Sequence, residues 1–129
     1  MAGSSRTVRH ALVPEELFDG HPLGVFALRR VQEAVSGFED VQIRVSKSQL
    51  TFRRKRSFAY LWTPGQYLRN ATAEVVLTIA LGRHDASRRF KQVVHPTTKH
   101  WIHHLEIHDI ADIDEQVVGW IREAADRAG

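Results

Sequence analysis

The sequence predicts an α+β fold: a two-layer sandwich, a mostly antiparallel sheet of about five to six strands with an N-terminal and a C-terminal helix on one face. Three observations predict it. A helical period opens the chain after residue 21, a period of two governs its middle, and a helical period returns after residue 111.

Each element follows in order. "PEELFDG" reads as one short helical turn ended by Gly20. In "PLGVFALRRVQEAVS", Val25, Leu28, Val31 and Val35 recur at helical spacing, and Leu23 and Phe26 widen the stripe. Pro22 suits the first turn and Gly37 the stop. Val41, Ile43 and Val45 then alternate with Gln42 and Arg44, as in a half-buried strand. Leu50 and Phe52 resume that alternation after "SKSQ", and "SFAYLW" continues it to the stop at "TPG". "EVVLTIAL" places Val75, Leu77 and Ile79 on one face, while "RFKQVVH" and "HWIHHLEIH" form a last pair of strands across "PTTK". The short connections favour antiparallel pairing. "DIDEQVVGWIREAADRAG" opens with an Asp112 to Glu115 capping-box spacing, and Ile113, Val117, Trp120, Ile121 and Ala124 line its buried side.

The 129 residues suit one domain, residues 14–129, behind a flexible arm of residues 1–13. Cysteine is absent, which excludes disulfides, thiolate catalysis and cysteine-ligated metal sites. No stretch approaches the roughly 20 apolar residues of a membrane span, and the N-terminus lacks a signal-peptide core. The expected location is cytoplasmic, with no membrane partner. Oligomeric state is not encoded in any pattern of this kind.

Charge is unevenly distributed. Residues 41–105 hold twelve basic side chains against two acidic ones, Glu74 and Asp85, whereas residues 1–40 hold four against six and residues 106–129 two against seven. The basic block coincides with the predicted sheet and the acidic ends with the helices. A sheet covered on one face would therefore present a basic open surface.

Within that block lies "RRKR", Arg53 to Arg56, at a predicted hairpin tip. Such a run serves either as a solvated, edge-protecting turn or as a phosphate grip, because guanidinium forks match phosphate oxygens. Phe52, Phe58, Tyr60 and Trp62 interleave with it, and cations beside aromatic rings are what single-stranded nucleic acid binders combine. "SKSQ" adds Ser46, Lys47, Ser48 and Gln49, which read either as a locally bonded turn or as a small anion cradle. The candidate ligand contacts are thus Arg44, Ser46, Lys47, Ser48, Gln49, Arg53, Arg54, Lys55, Arg56 and Lys91, with Tyr60 or Trp62 for stacking. No catalytic residue is assigned, since no base is identified that would activate either serine.

Six of the eight histidines fall between residues 84 and 108. Strand alternation puts His104, Glu106 and His108 on one face, successive members about 6.5 to 7 Å apart. That makes them surface strand residues or, less simply, ligands of a divalent metal, with His95 as a further donor. No cofactor is expected beyond that metal. His103 should point the other way, into the core beside Leu105 and Ile107, and Trp101 and Trp120 should be core anchors under the last helix.

"VSKSQLTFRRKRSFAYLW" together with "HWIHHLEIHD" resembles an uncharacterised bacterial family, the domain of unknown function numbered 5655, in its actinobacterial-type form, from about Pro14 to Arg127. The resemblance implies a small α+β domain, standalone or appended to larger proteins, and supplies no catalytic residues. The functional expectation is a binding module for nucleic acid or a phosphorylated ligand. Its alternatives are a small metal-dependent enzyme on the His/Glu cluster and a regulatory domain whose basic face meets an acidic protein surface.

Overall fold

The computed structural model describes residues 14–47, 49–64 and 73–129. The proposed arm of residues 1–13 and Ser48 lie outside them. A 3-10 turn, Pro14–Phe18, leads into helix α1, Pro22–Ala34. Six strands follow: β1 Gln42–Val45, β2 Gln49–Arg53, β3 Ser57–Trp62, β4 Val75–Leu81, β5 Gln92–Thr97 and β6 His100–Ile107. A second 3-10 turn, Ile110–Asp112, precedes helix α2, Glu115–Arg127.

All neighbouring strands pair antiparallel, in the order β1-β2-β3-β4-β6-β5. The expected α+β sandwich is therefore the observed one. Period-two alternation sorts the side chains. Leu50, Phe52, Leu61, Leu77, Ile79, Leu81, Leu105 and Ile107 are buried with Leu28 and Val31 of α1 and Val117, Ile121 and Ala124 of α2 in one cluster. Leu50 faces Leu61, Leu61 faces Leu77, and Leu77 faces Leu105, so one core row crosses four strands. A bulge between Phe52 and Arg53 lets Phe58 turn inward, where its ring centroid lies 6.3 Å from that of Phe52.

The helices are tied to each other by two arginines. Arg30 of α1 donates from Nε to the carbonyl of Ile113 at 3.0 Å, and Arg122 of α2 donates from Nε to the carbonyl of Ala34 at 3.0 Å. Gly24 lies in α1 because the Phe18 ring fills the place of its side chain: a Cβ there would fall 2.3 Å from a Phe18 ring carbon.

Three details depart from expectation. Phe26 does not widen the buried stripe of α1 but stands 52% exposed, because the core faces Ala27, Leu28 and Val31 on the other side of the helix. Asp112 does not cap α2. It closes a capping box on the short turn with Asp109, while Asp114 caps α2 by accepting the N–H of Val117 at 3.2 Å. Trp101 is not a core anchor: it is half-buried at the sheet end, with the His95 ring stacked on it at 3.5 Å between centroids.

Gly119 sits mid-helix on the exposed side of α2, and a Cβ there would meet nothing within 4 Å. Gly119→Ala is therefore expected to stabilise the domain by up to about 1 kcal/mol, through helix propensity alone. The midpoint of urea unfolding should rise with an unchanged slope.

Candidate functional site

The sheet face opposite the helices is the candidate site. Its side chains follow from register. Arg44 of β1 lies opposite Thr51, Thr51 opposite Tyr60, Tyr60 opposite Thr78, and Thr78 opposite His104, so one row crosses five strands. A second row runs Gln49, Trp62, Val76, Glu106, and a third runs Gln42, Arg53, Ser57. Arg44, Gln49, Arg53, Tyr60 and Trp62 thus share one face, as their parity requires.

Ser46 and Gln49 of "SKSQ" close the connection between β1 and β2. Ser46 donates its N–H to the Gln49 carbonyl at 2.9 Å, and its hydroxyl both donates to that carbonyl and accepts the Gln49 N–H. This favours the locally bonded turn, with Lys47 exposed at its tip.

The basic run does not face one surface. Arg53 belongs to the open face, with its Nη2 on the Lys55 carbonyl at 3.2 Å and its Nε buried without a partner. Arg54 turns the other way. It donates from Nη1 to the Ala125 carbonyl at 2.9 Å and from Nε to the Glu39 carbonyl at 3.0 Å, and it lies 5.2 Å from the Phe38 ring centroid. Arg56 donates to the Arg127 carbonyl, and the backbone N–H groups of Lys55 and Arg56 both reach the Ala128 carbonyl. The hairpin tip therefore caps the C-terminal end of α2, where carbonyls lack partners and the helix dipole favours cations. Lys55 keeps its ammonium in water.

Other cations of the block are also paired. Arg83 grips Glu123 through Nε and Nη2, both at 2.8 Å, and reaches Asp85 at 3.1 Å; these acids hold its pKa above the ordinary arginine value, against the opposing effect of burial. Arg89 binds Asp114 at 2.9 Å and the Asp112 carbonyl at 2.8 Å. Lys91 is exposed at the start of β5, the strand at the opposite edge from Arg44 and about 24 Å away at five strand spacings. Of the cations in the block, Arg83 and Arg89 thus meet carboxylates of α2 and its cap, and Arg54 and Arg56 meet carbonyls of α2. Arg44 and Lys47 are left in solvent, and Arg44 lies along the β1–β2 edge between Lys47 at the β1–β2 turn and Arg53 at the far end of β2.

At the centre of that face a polar relay is built into the sheet. The Trp62 indole N–H donates to the Thr78 hydroxyl at 2.9 Å, and that oxygen lies 2.8 Å from His104 Nδ1. The Trp62 and His104 rings meet edge-on at 6.0 Å. Burial, then the neighbouring His103, lowers the pKa of His104, so the ring is neutral at pH 7. Thr78 was missed at sequence level, because a threonine in an apolar strand carries no signal beyond its parity.

The metal reading finds no matching geometry. Among the described residues no group of three or more His, Asp or Glu side chains is placed to hold a metal ion. His104 is engaged with Thr78, whereas Glu106 lies 3.4 Å from His108 Nε2, beyond the end of β6. Bringing all three side chains to one ion would need the strand to bend.

A second cluster lies on the helix side and has a structural geometry. His103 is fully buried, its Nε2 accepting the Asp85 N–H at 3.0 Å and its Nδ1 lying 3.1 Å from the Trp101 carbonyl. Asp85 accepts the Trp120 indole N–H at 2.9 Å and the Ser87 N–H at 2.9 Å. The Phe90 ring fills the space between His103 and Trp120, at 4.6 and 4.5 Å. Asp85 was overlooked as a site residue; its one signal was that it is among only two acids in a basic block.

No helix among the described residues is long and apolar enough to cross a membrane. Comparison with curated proteins and with solved structures finds no match. Residues 15–127 match the model of a family described as a domain of unknown function (DUF5655). Since that span takes in all six strands and both helices, the chain belongs to that family.

Proposed function

We propose that the domain is a non-enzymatic binding module for an anionic partner, single-stranded nucleic acid ahead of a phosphorylated small molecule. The contact surface is the β1–β2 margin of the open face, with Lys47, Arg44 and Arg53 in that order along it and Tyr60 as the stacking ring. The observation that carries this reading is the row Arg44, Thr51, Tyr60. It sets a cation about 10 Å from a partly exposed aromatic ring, on a rigid sheet. Arg44 and Lys47 are exposed and have no side-chain partner among the described residues, unlike Arg54, Arg56, Arg83 and Arg89. Trp62 is anchored to Thr78, which leaves Tyr60 as the ring beside the cations.

The test is oligonucleotide binding across a salt series. Each of Arg44→Gln and Lys47→Gln should reduce the slope of log affinity against log salt by about 0.7, the share of one phosphate contact on a single strand. Tyr60→Leu should cost about 1 to 3 kcal/mol of affinity at every salt concentration and leave the slope alone. Absence of salt-sensitive binding to any single strand at low ionic strength overturns the nucleic-acid reading.

A further inference from the structure

The two edges of the sheet are built differently. Edge strand β5 is interrupted: Pro96 lies within it, and its register with β6 shifts between Val94 and Thr97. Both features block addition of another strand. Edge strand β1 has neither a proline nor a bulge along Gln42–Val45.

The direction of its free backbone groups follows from the turn. Ser46 and Gln49 form a hydrogen-bonded pair, so by antiparallel alternation Arg44 and Gln42 also direct their N–H and C=O toward β2. Ile43 and Val45 direct theirs outward. Neither has a hydrogen-bond partner on that side among the described residues.

We infer that the β1 edge accepts an extended acidic segment of a partner protein as a seventh strand. Outward-facing Ile43 and Val45 supply the ladder. On the open face the added strand would lie beside exposed Arg44, with Lys47 at the turn, so its residues there are acidic. On the helix side it would lie beside half-buried Ile43 and Val45, so the alternate residues are apolar. A second copy of β1 fits poorly, since it brings another Arg44 and Lys47 to the same side. This surface is separate from the Tyr60 face, although Arg44 borders both.

The test is a nuclear magnetic resonance titration with a synthetic peptide of alternating glutamate and valine, beside its lysine counterpart. The glutamate peptide should shift the amides of Val41 to Val45 and slow hydrogen exchange at Ile43 and Val45. Arg44→Glu should reverse the preference by more than about tenfold in each direction. Methylating the peptide nitrogens that face β1 should abolish binding without any change to the protein, whereas methylating the opposite nitrogens should not. Shifts confined to open-face side chains, equal binding by both peptides, or insensitivity to methylation would overturn the inference. So would self-association that protects Ile43 and Val45 without peptide.

Discussion

Arg54→Ala is expected to lower the unfolding free energy by about 2 to 3 kcal/mol, although the residue sits in a run of cations at a hairpin tip. Its guanidinium joins three separate parts of the chain. It holds the Ala125 carbonyl of α2 and the Glu39 carbonyl ahead of β1, and covers the Phe38 ring. Both hydrogen bonds have a charged donor, and the one to Ala125 is partly buried, which puts it in the stronger class. Packing is close as well: a Cβ on Gly129 would fall within 2.3 Å of Arg54 Nη1. Arg54→Lys should recover less than half of the loss, because a single ammonium cannot reach two carbonyls on different elements and offers no plane to Phe38. Lys55→Ala, whose side chain is exposed, should be nearly neutral. Urea unfolding followed by circular dichroism separates these outcomes. A variant at Arg54 that keeps full stability but loses oligonucleotide affinity would return this arginine to the binding surface.

That prediction also shows what was legible in the sequence. Alternation in β1 and β6 and the helical stripes of α1 and α2 were readable, because burial on one side leaves a periodic trace, whereas β4 is an apolar run buried on both sides. His103 was readable for the same reason, its parity matching Leu105 and Ile107. The partners of "RRKR" were not. Arg54 and Ala125 are 71 residues apart, and no local pattern tells which helix end will arrive at a hairpin tip. A charge run looks alike whether it faces water, phosphate or a row of carbonyls.

The cap of α2 failed for a subtler reason. Asp112 and Glu115 match the capping-box spacing, but Asp109 and Asp112 match the same spacing one turn earlier, and that box closes the 3-10 turn. Asp114 then caps α2 without a box. The open-face site was half legible. Register was needed to separate Arg44 and Arg53 from Arg54, and Lys91 fell on the far edge because β5 pairs outside β6 rather than beside β4.

The second large effect is expected at Asp85. Asp85→Ala should cost about 3 kcal/mol at neutral pH, because it strips the nearly buried Trp120 indole of its acceptor and frees the loop between β4 and β5. Stability should also fall with acid in two steps, the upper set by two histidines and the lower by two aspartates. His103 has its pKa lowered, chiefly by burial, against opposing hydrogen bonds and the Asp85 charge; His84, 6.3 Å away between ring centroids, adds to the lowering. His104 is lowered too. The unfolded chain therefore takes up protons more readily than the native one. Stability is full above the ordinary histidine value of 6.5 and is lost as the pH falls from there toward the folded values. Chemistry gives the same sign, since a proton on His103 Nε2 would set a donor against the Asp85 N–H. Asp85 acts in the lower window. Burial pushes its pKa up, but the Ser87 N–H, the Arg83 guanidinium and the Trp120 indole outweigh that and hold it below 3.8. Its contribution is present above 3.8 and is lost as the pH falls through the folded value. Asp114, held down by Arg89 and by the Val117 N–H, follows the same course. Urea unfolding at pH 8, 6, 5, 4, 3 and 2 checks the steps. His103→Gln keeps an acceptor near the Asp85 N–H and removes the proton, so it should flatten the upper step to the share owed to His104 and leave the lower step in place. A native domain whose stability is level between pH 7 and pH 5 would show that His103 is not held as a neutral acceptor at all.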